Sequence, residues 1–328
     1  MQERSYILDK VKTEAESFLN IKKKRNNTTF LNYRTTFTYF IYYLEKISSV
    51  NEITEKNIEM LVEGFQGTLL NGFNYKTNEA ERFVKIKPNG VNTHIRRIKT
   101  FLNKCLGLPV ELAKLNVNKP KYKSLSKQEV ELLADECSNY WSNKEIAIRN
   151  ETLIRFLFNT AFRINEALTL ETDNVYNEGS NYFVKIHEKG KAEGELTEVA
   201  ISEGTYNLLM NYINNKFVPS DFVFSSVKSS NDGKAKAFNR QNFNKSIIEL
   251  ASYVDNKYKE KGINISKTVE NNSSHVFRHS KATYLLNTVK EDVVTVKEVL
   301  RHSSIDSTLI YLNPKEEAIN QVRINNDI

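Results

Sequence analysis

The sequence predicts a mainly helical protein with a small antiparallel β-sheet, built as a helical N-terminal domain followed by a mixed α/β domain. Three observations carry this. The 328 residues are about twice a usual domain length. Apolar residues recur at helical spacing through most of the chain. Two segments, 181–187 and 196–201, alternate instead like half-buried strands around the turn Lys189-Gly190-Lys191.

In the first part, residues 7–19 place Ile7, Leu8, Val11, Phe18 and Leu19 near helical spacing. Residues 29–44 are read as a helix despite the β-propensity of Phe30, Tyr33, Phe37, Tyr39, Phe40, Tyr42 and Tyr43. Residues 54–65 form a third helix, with Asn51 and Thr54 offering N-cap oxygens. In residues 91–106, Ile95, Ile98, Leu102 and Leu106 make one apolar stripe, and His94, Arg96, Arg97 and Lys99 occupy the other face.

Pro109 and Pro120 punctuate a connector over 107–126 that contains the basic stretch Lys119-Pro120-Lys121-Tyr122-Lys123. Ser126 and Glu129 then form a capping box that opens a new helix. The domain boundary is therefore placed near residue 120, giving domains 1–120 and 121–328. Beyond it, segments 150–158, 205–217, 240–254 and 276–286 read as helices. Two shorter ones, 293–300 and 304–312, are joined by His302-Ser303.

Composition removes several classes. Two cysteines, Cys105 and Cys137, build neither a disulfide framework nor a cysteine-rich zinc site, and they fit a reducing cytoplasm. No apolar run approaches the roughly 20 residues that span a bilayer, and Met1 to Ser5 lacks a signal-peptide pattern. The net charge of +7 is unevenly spread. Residues 1–120 hold 20 Lys/Arg against 12 Asp/Glu, and the remainder hold 27 against 28. The excess points to a polyanionic partner for the first part.

Three of the five histidines, His275, His279 and His302, lie near the C-terminus. They show no His-Glu-x-x-His pattern and no carboxylate at a ligand offset, so no metal is expected. His275 and Arg278 project from one face of a helical turn. Arginine offers a rigid fork for phosphate oxygens, and histidine exchanges a proton near neutrality. A second arginine, Arg163, sits where a helix restarts after a break.

Together these segments resemble the two boxes of the tyrosine recombinases, the phage integrase family. The first box there reads like Thr-Gly-Leu-Arg-x-Ser-Glu-x-x-x-Leu; residues 160–170 here read Thr-Ala-Phe-Arg-Ile-Asn-Glu-Ala-Leu-Thr-Leu. The second begins His-x-Leu-Arg-His-Thr, matched by His275-Val276-Phe277-Arg278-His279-Ser280. Leu-Gly-His-Ser-Ser-Ile follows, matched by Leu300-Arg301-His302-Ser303-Ser304-Ile305, with Tyr311 nine residues after His302. The motifs cover 126–314. In both boxes a glycine is replaced, by Ala161 and by Arg301. Arg301 places a bulky cation beside His302, where it would alter DNA contact or the turn.

The resemblance implies an N-terminal core-binding domain of SAM-like helices and a catalytic domain. Arg163 and Arg278 would clamp a phosphodiester, and His302 would donate to a non-bridging oxygen. His275 would take the proton of Tyr311, which attacks to give a 3′-phosphotyrosine and a free 5′-hydroxyl. Lys189 would protonate the leaving oxygen, with Lys191 as the other choice. Glu166 would orient Arg163, and His279 would support. The covalent intermediate keeps the linkage energy, so no cofactor is needed.

The partner would be double-stranded DNA carrying specific recombination sites. Lys22, Lys23, Lys24, Arg25, Arg96, Arg97, Lys99, Lys121 and Lys123 would contact it. The family works as a homo-tetramer that exchanges C-terminal segments, here 313–328, sometimes with accessory DNA-bending proteins. The expected role is integration or excision of a mobile element by a cytoplasmic, nucleoid-associated enzyme. The alternatives are Xer-type dimer resolution, relaxation like a type IB topoisomerase, and a catalytically silent DNA-binding regulator.

Overall fold

Helix α4 (Pro88–Leu106) anchors the first of two compact units, Met1–Pro120 and Lys121–Ile328. The computed structural model describes residues 2–25, 27–48, 56–76, 80–117, 123–188 and 195–312. Pro88 takes the first turn of α4, where its missing N–H costs nothing, and Gly107 ends the helix at φ 65°. Of the predicted stripe, Ile95, Ile98 and Leu102 are buried and Leu106 is half-buried, and Val91 and Phe101 join the buried face.

The rest of this unit is α1 (Gln2–Arg25), α2 (Asn27–Tyr42), a π-helical turn at Tyr43–Ile47, and α3 (Ile58–Asn71). The aromatic segment is helical because its rings have a core to enter. Phe37 lies 4.7 Å from the Phe101 ring and Phe40 lies 5.1 Å from Phe65, contacts that override local β-propensity. Helix α3 starts at Ile58, later than the spacing predicts; Asn51 and Thr54 lie outside the described residues.

Two features of this unit differ from expectation. An antiparallel hairpin, β1 (Phe73–Lys76) and β2 (Glu81–Val84), follows α3. Gly72, at φ 90°, makes the bend beneath the Phe83 ring, where a Cβ would clash. Four-residue strands carry too little periodicity to read. His94 is the second. It does not share the outer basic face but is buried, with Nδ1 2.9 Å from Thr36 Oγ1. Burial, with Arg97 nearby, pushes its pKa down to about 4.

The first helix of the second unit opens, where the capping box is predicted, at Ser126. Its Oγ accepts from Glu129 N (3.2 Å), and Glu129 Oε2 accepts from Ser126 N (2.7 Å), capping α5 (Lys127–Asp135). There follow α6 (Cys137–Tyr140), α7 (Lys144–Thr160) and α8 (Ile164–Leu168). A sheet of order β3-β4-β5 comes next, formed by β3 (Val175–Glu178), β4 (Asn181–His187) and β5 (Leu196–Ile201). The latter two strands have the predicted bounds, and His187 pairs with Leu196 at the loop end of the hairpin. Strand β3 was not anticipated.

Helices α9 (Glu203–Asn214), α10 (Arg240–Lys257), α11 (Ser266–Asn272) and α12 (His275–Tyr284) complete the main core. Helix α12 runs into a π-helical turn at Leu285–Val289. Two short helices end the described chain, α13 (Val293–Leu300) and α14 (Asp306–Leu309). A satellite cluster of Ala161, Ala282, Leu286, Val296, Leu300 and Tyr311 packs them onto α12 and the end of α7. Among the described residues no helix is long and apolar enough to cross a membrane.

Candidate active site

Three non-glycine residues of positive φ precede the candidate side chains. Ala161 (φ 54°), which ends α7 before Arg163, and Arg301 (φ 51°), which ends α13 before His302, are left-handed; Ser273 (φ 50°, ψ −140°) precedes His275. Such conformations cost roughly 1 kcal/mol each and persist where surrounding contacts fix them. At α13 the contacts are explicit. Arg301 N donates to Glu298 O (2.9 Å) and His302 N donates to Lys297 O (3.0 Å), closing the helix end that glycine usually makes. The two glycine positions of the family boxes are thus two left-handed turns, occupied here by Ala161 and Arg301.

These turns hold the two predicted arginines by their carbonyls. Arg278, on α12 and only 4% exposed, donates from Nη1 to Ala161 O (2.6 Å) and from Nη2 to Leu300 O. Arg163 donates from Nη2 to Arg301 O (3.4 Å). Burial and then Arg163 and Arg301 lower the Arg278 pKa to about 10, so it stays charged at neutral pH.

Glu166, 3% exposed, holds Arg163 twice. Its Oε2 accepts from Arg163 N (2.9 Å), and its Oε1 accepts from Arg163 Nη1 (2.9 Å). Burial would raise the carboxyl pKa. Arg301 and Arg163 outweigh it and hold the group below its ordinary value.

Tyr311 is 5% exposed and packs in the satellite cluster. Its hydroxyl lies 2.6 Å from His279 Nδ1. The His279 ring in turn lies 6.2 Å from that of His275, centroid to centroid. The His302 ring stacks on Tyr311 at 6.4 Å, and its Nδ1 is 2.9 Å from Thr308 Oγ1. Burial comes first in lowering both His279 and His302 to about 4. His275, Arg278 and His302 add to the shift at His279; Arg278, Arg163 and Arg301 add to it at His302. Both imidazoles are neutral at pH 7.

The structure therefore brings together Arg163, Glu166, His275, Arg278, His279, His302 and Tyr311. Lys189 and Lys191, the two choices on the hairpin turn, lie outside the described residues. Sequence reasoning gave His275 the role of general base and His279 a supporting place; the Tyr311 hydroxyl lies within hydrogen-bond distance of His279. It also missed Thr308, which carries no local motif, and the contacts of the Arg301 side chain. The one signal for Arg301 was its departure from the glycine pattern.

The DNA-contact candidates are more scattered. Lys23, Lys24, Arg96 and Lys123 are exposed. Lys22 sits over the Phe18 ring at 4.9 Å. Arg97 donates to Thr36 Oγ1 (3.2 Å) and Asn32 O (3.3 Å), and Lys99 to Leu112 O (3.1 Å). Those three are partly committed within their own unit. The Arg25 side chain and Lys121 lie outside the described residues.

A buried tyrosine hydroxyl beside two fixed guanidiniums and neutral imidazoles defines a site for tyrosine chemistry on an anion. The chain belongs to the phage integrase family, whose model matches residues 123–318, and it is a tyrosine recombinase, of the enzymes that cut and rejoin DNA. It is 24% identical over 308 residues to the tyrosine recombinase XerC of Rickettsia bellii (strain OSU 85-389), covering 90% of this chain and 89% of that one. It is 26% identical to XerH of Campylobacter jejuni subsp. jejuni serotype O:2 (strain ATCC 700819 / NCTC 11168), covering 88% and 77%.

Two solved structures share the fold. One is the XerH site-specific recombinase bound to difH substrate before cleavage, with a TM-score of 0.61, 19% identity, and coverage of 95% of this chain and 83% of that one. The other is the Tn1549 transposon integrase in complex with transposon right end DNA, with a TM-score of 0.67, 13% identity, and coverage of 97% and 99%.

Proposed function

We propose that this recombinase cuts duplex DNA at specific sites through attack by Tyr311 on a phosphodiester held by Arg163, Arg278 and His302. The observation that carries the reading is the Tyr311 hydroxyl, bound at 2.6 Å to a neutral His279 beside two fixed arginines. His279 accepts the phenolic proton, and His275 stands behind it as the second imidazole. The phenolate oxygen bonds to phosphorus and the 5′-oxygen leaves, protonated by Lys189 or Lys191. The positive groups stabilise charge on the five-coordinate phosphorus. With the Thr308 hydroxyl donating to His302 Nδ1, Nε2 carries the proton offered to a non-bridging oxygen.

Recombination follows when a 5′-hydroxyl from another strand attacks the phosphotyrosine. A homo-tetramer on two DNA sites supplies that strand. The N-terminal unit, with its excess of basic residues, grips the DNA, and accessory DNA-bending proteins assist. The enzyme acts in the cytoplasm on nucleoid DNA.

Nicked suicide duplexes tiling the DNA that flanks its gene test the chemistry. The parent chain should form a covalent protein–DNA adduct that Tyr311→Phe does not form. Absence of any adduct from the parent, or equal adduct from Tyr311→Phe, overturns the reading. For the biological role we propose integration or excision of a mobile element, a reading supported by the likeness to a transposon integrase. Xer-type resolution is the second reading, favoured by the near-full-length XerC and XerH relatives. Inverted repeats bounding a cargo that the enzyme excises would decide for the first. Resolution of directly repeated sites on a circular multimer, without such repeats, would decide for the second.

A further inference from the structure

The family pattern has glycine where this chain has Arg301, and a left-handed turn alone asks for no side chain. Yet the Arg301 side chain is only 12% exposed, and three neighbours engage its guanidinium. Its Nη2 donates to Glu166 Oε2 (2.6 Å). Its guanidinium lies over the Phe162 ring, 4.5 Å from the centroid. Its Nε, buried and without a hydrogen bond, lies 3.9 Å from Glu188 Oε1. Glu188 is the residue after β4, where the connection to β5 begins, and it also accepts from Thr197 Oγ1 on β5 (3.0 Å).

We propose that Arg301 is a positioning residue. It locks Glu166 onto Arg163 from the far side and ties the loop end of the β4–β5 hairpin, at Glu188, to the arginine site. The inference rests on the reading of Arg163 as a phosphate clamp.

The charge arrangement explains why the side chain is useful. Glu166 fixes Arg163 but also sets a buried negative charge against the cation that must face phosphate. A second guanidinium on Oε2, which also accepts from Arg163 N, restores one positive charge and uses that oxygen's second lone pair. The planar fork, held on a ring and between two carboxylates, leaves Glu166 one orientation. With Nη2 on Glu166 and Nε beside Glu188, the Arg301 guanidinium is directed at carboxylates, and its part is to position Arg163. The same backbone turn contributes Arg301 O to Arg163 and Leu300 O to Arg278, so one residue couples both arginines to the hairpin.

The test uses R301G, R301N and R301K in the full chain. Glycine and asparagine both accept the left-handed turn, so they remove the side chain and keep the backbone. Single-turnover cleavage of the nicked duplex that the parent cuts fastest is expected to fall on the order of 10- to 100-fold in R301G and R301N. Affinity for the same duplex should stay within about threefold, and R301K should recover part of the rate because it restores charge without the fork.

A denaturant double-mutant cycle with E166Q reads the ion pair without any DNA. The effect of R301N on the unfolding constant should be at least about fivefold smaller when Glu166 is already Gln. Three results overturn the proposal: parental cleavage rates in R301G and R301N, loss of folding in both, or equal R301N effects with and without Glu166. A parent that forms no adduct instead sinks the reading of Tyr311, while the cycle still decides whether Arg301 holds Glu166.

Discussion

His279 Nδ1 and Tyr311 Oη are 2.6 Å apart, although the two residues are separated by a helix end, a π-turn and two further helices. The hydroxyl that must lose a proton thus already faces an imidazole held near pKa 4, which is neutral and able to accept at pH 7.

His279→Ala is therefore expected to slow single-turnover cleavage by about 10²- to 10⁴-fold. The parental rate should hold its plateau as pH falls to about 5, because a base is disabled only near its own pKa. A rate already halved near pH 6.5 would show that a histidine of ordinary pKa does the work.

Glu166→Gln removes the carboxylate between Arg163 and Arg301. The pair is nearly buried on the Glu166 side but Arg163 is 26% exposed, so the expected loss is about 2–4 kcal/mol rather than the full cost of a closed pair. The Glu166 carboxyl sits below its ordinary 4.5, so its contribution is present above that pH and is lost as pH falls through the folded value. Melting curves of parent and variant should draw together below about pH 4.5.

Acid should weaken the N-terminal unit through His94. The unfolded imidazole binds a proton as pH drops below 6.5, whereas the folded one, held near 4, does not. Stability is full above 6.5 and is lost as pH falls toward 4, by up to about 3 kcal/mol from this group. His94→Gln should flatten that slope in urea unfolding between about pH 7 and 4, while costing about 1 kcal/mol at pH 7 for the Thr36 bond. An unchanged slope would remove His94 from the account.

Ala161→Gly sets two effects against each other. Relief of the left-handed backbone is worth roughly 1 kcal/mol. The lost methyl, fully buried in the satellite cluster, costs about 0.8 kcal/mol, and glycine's freedom in the unfolded chain costs about 0.5–1 kcal/mol. The expected result is a small destabilisation, under about 1 kcal/mol, with the Arg278 contact to residue 161 retained. A clear gain in melting temperature would mean that the turn is more strained than its contacts suggest.

Much of this molecule was legible along the chain. Strands β4 and β5 and the cap at Ser126 came out where alternation and spacing put them, because the signals are local. The hairpin β1–β2, strand β3 and helices α6 and α11 did not, since segments of four to seven residues have too few positions to show a period. His94 misled for a related reason. Its place off the apolar stripe looked solvent-facing until Thr36, 58 residues earlier, supplied a buried partner.

The sequence by itself determined the family, the order of Arg163, Arg278, His302 and Tyr311, and the two positions where glycine is missing. Only the tertiary structure decided that both positions are left-handed turns whose carbonyls hold the arginines. It also decided that His279 meets the tyrosine hydroxyl and that Arg301 turns inward to Glu166. The physical reason is that each of these contacts joins groups far apart in the chain. Spacing along a helix fixes which side chains share a face, but which carbonyl or carboxylate waits opposite is fixed only by how the helices pack.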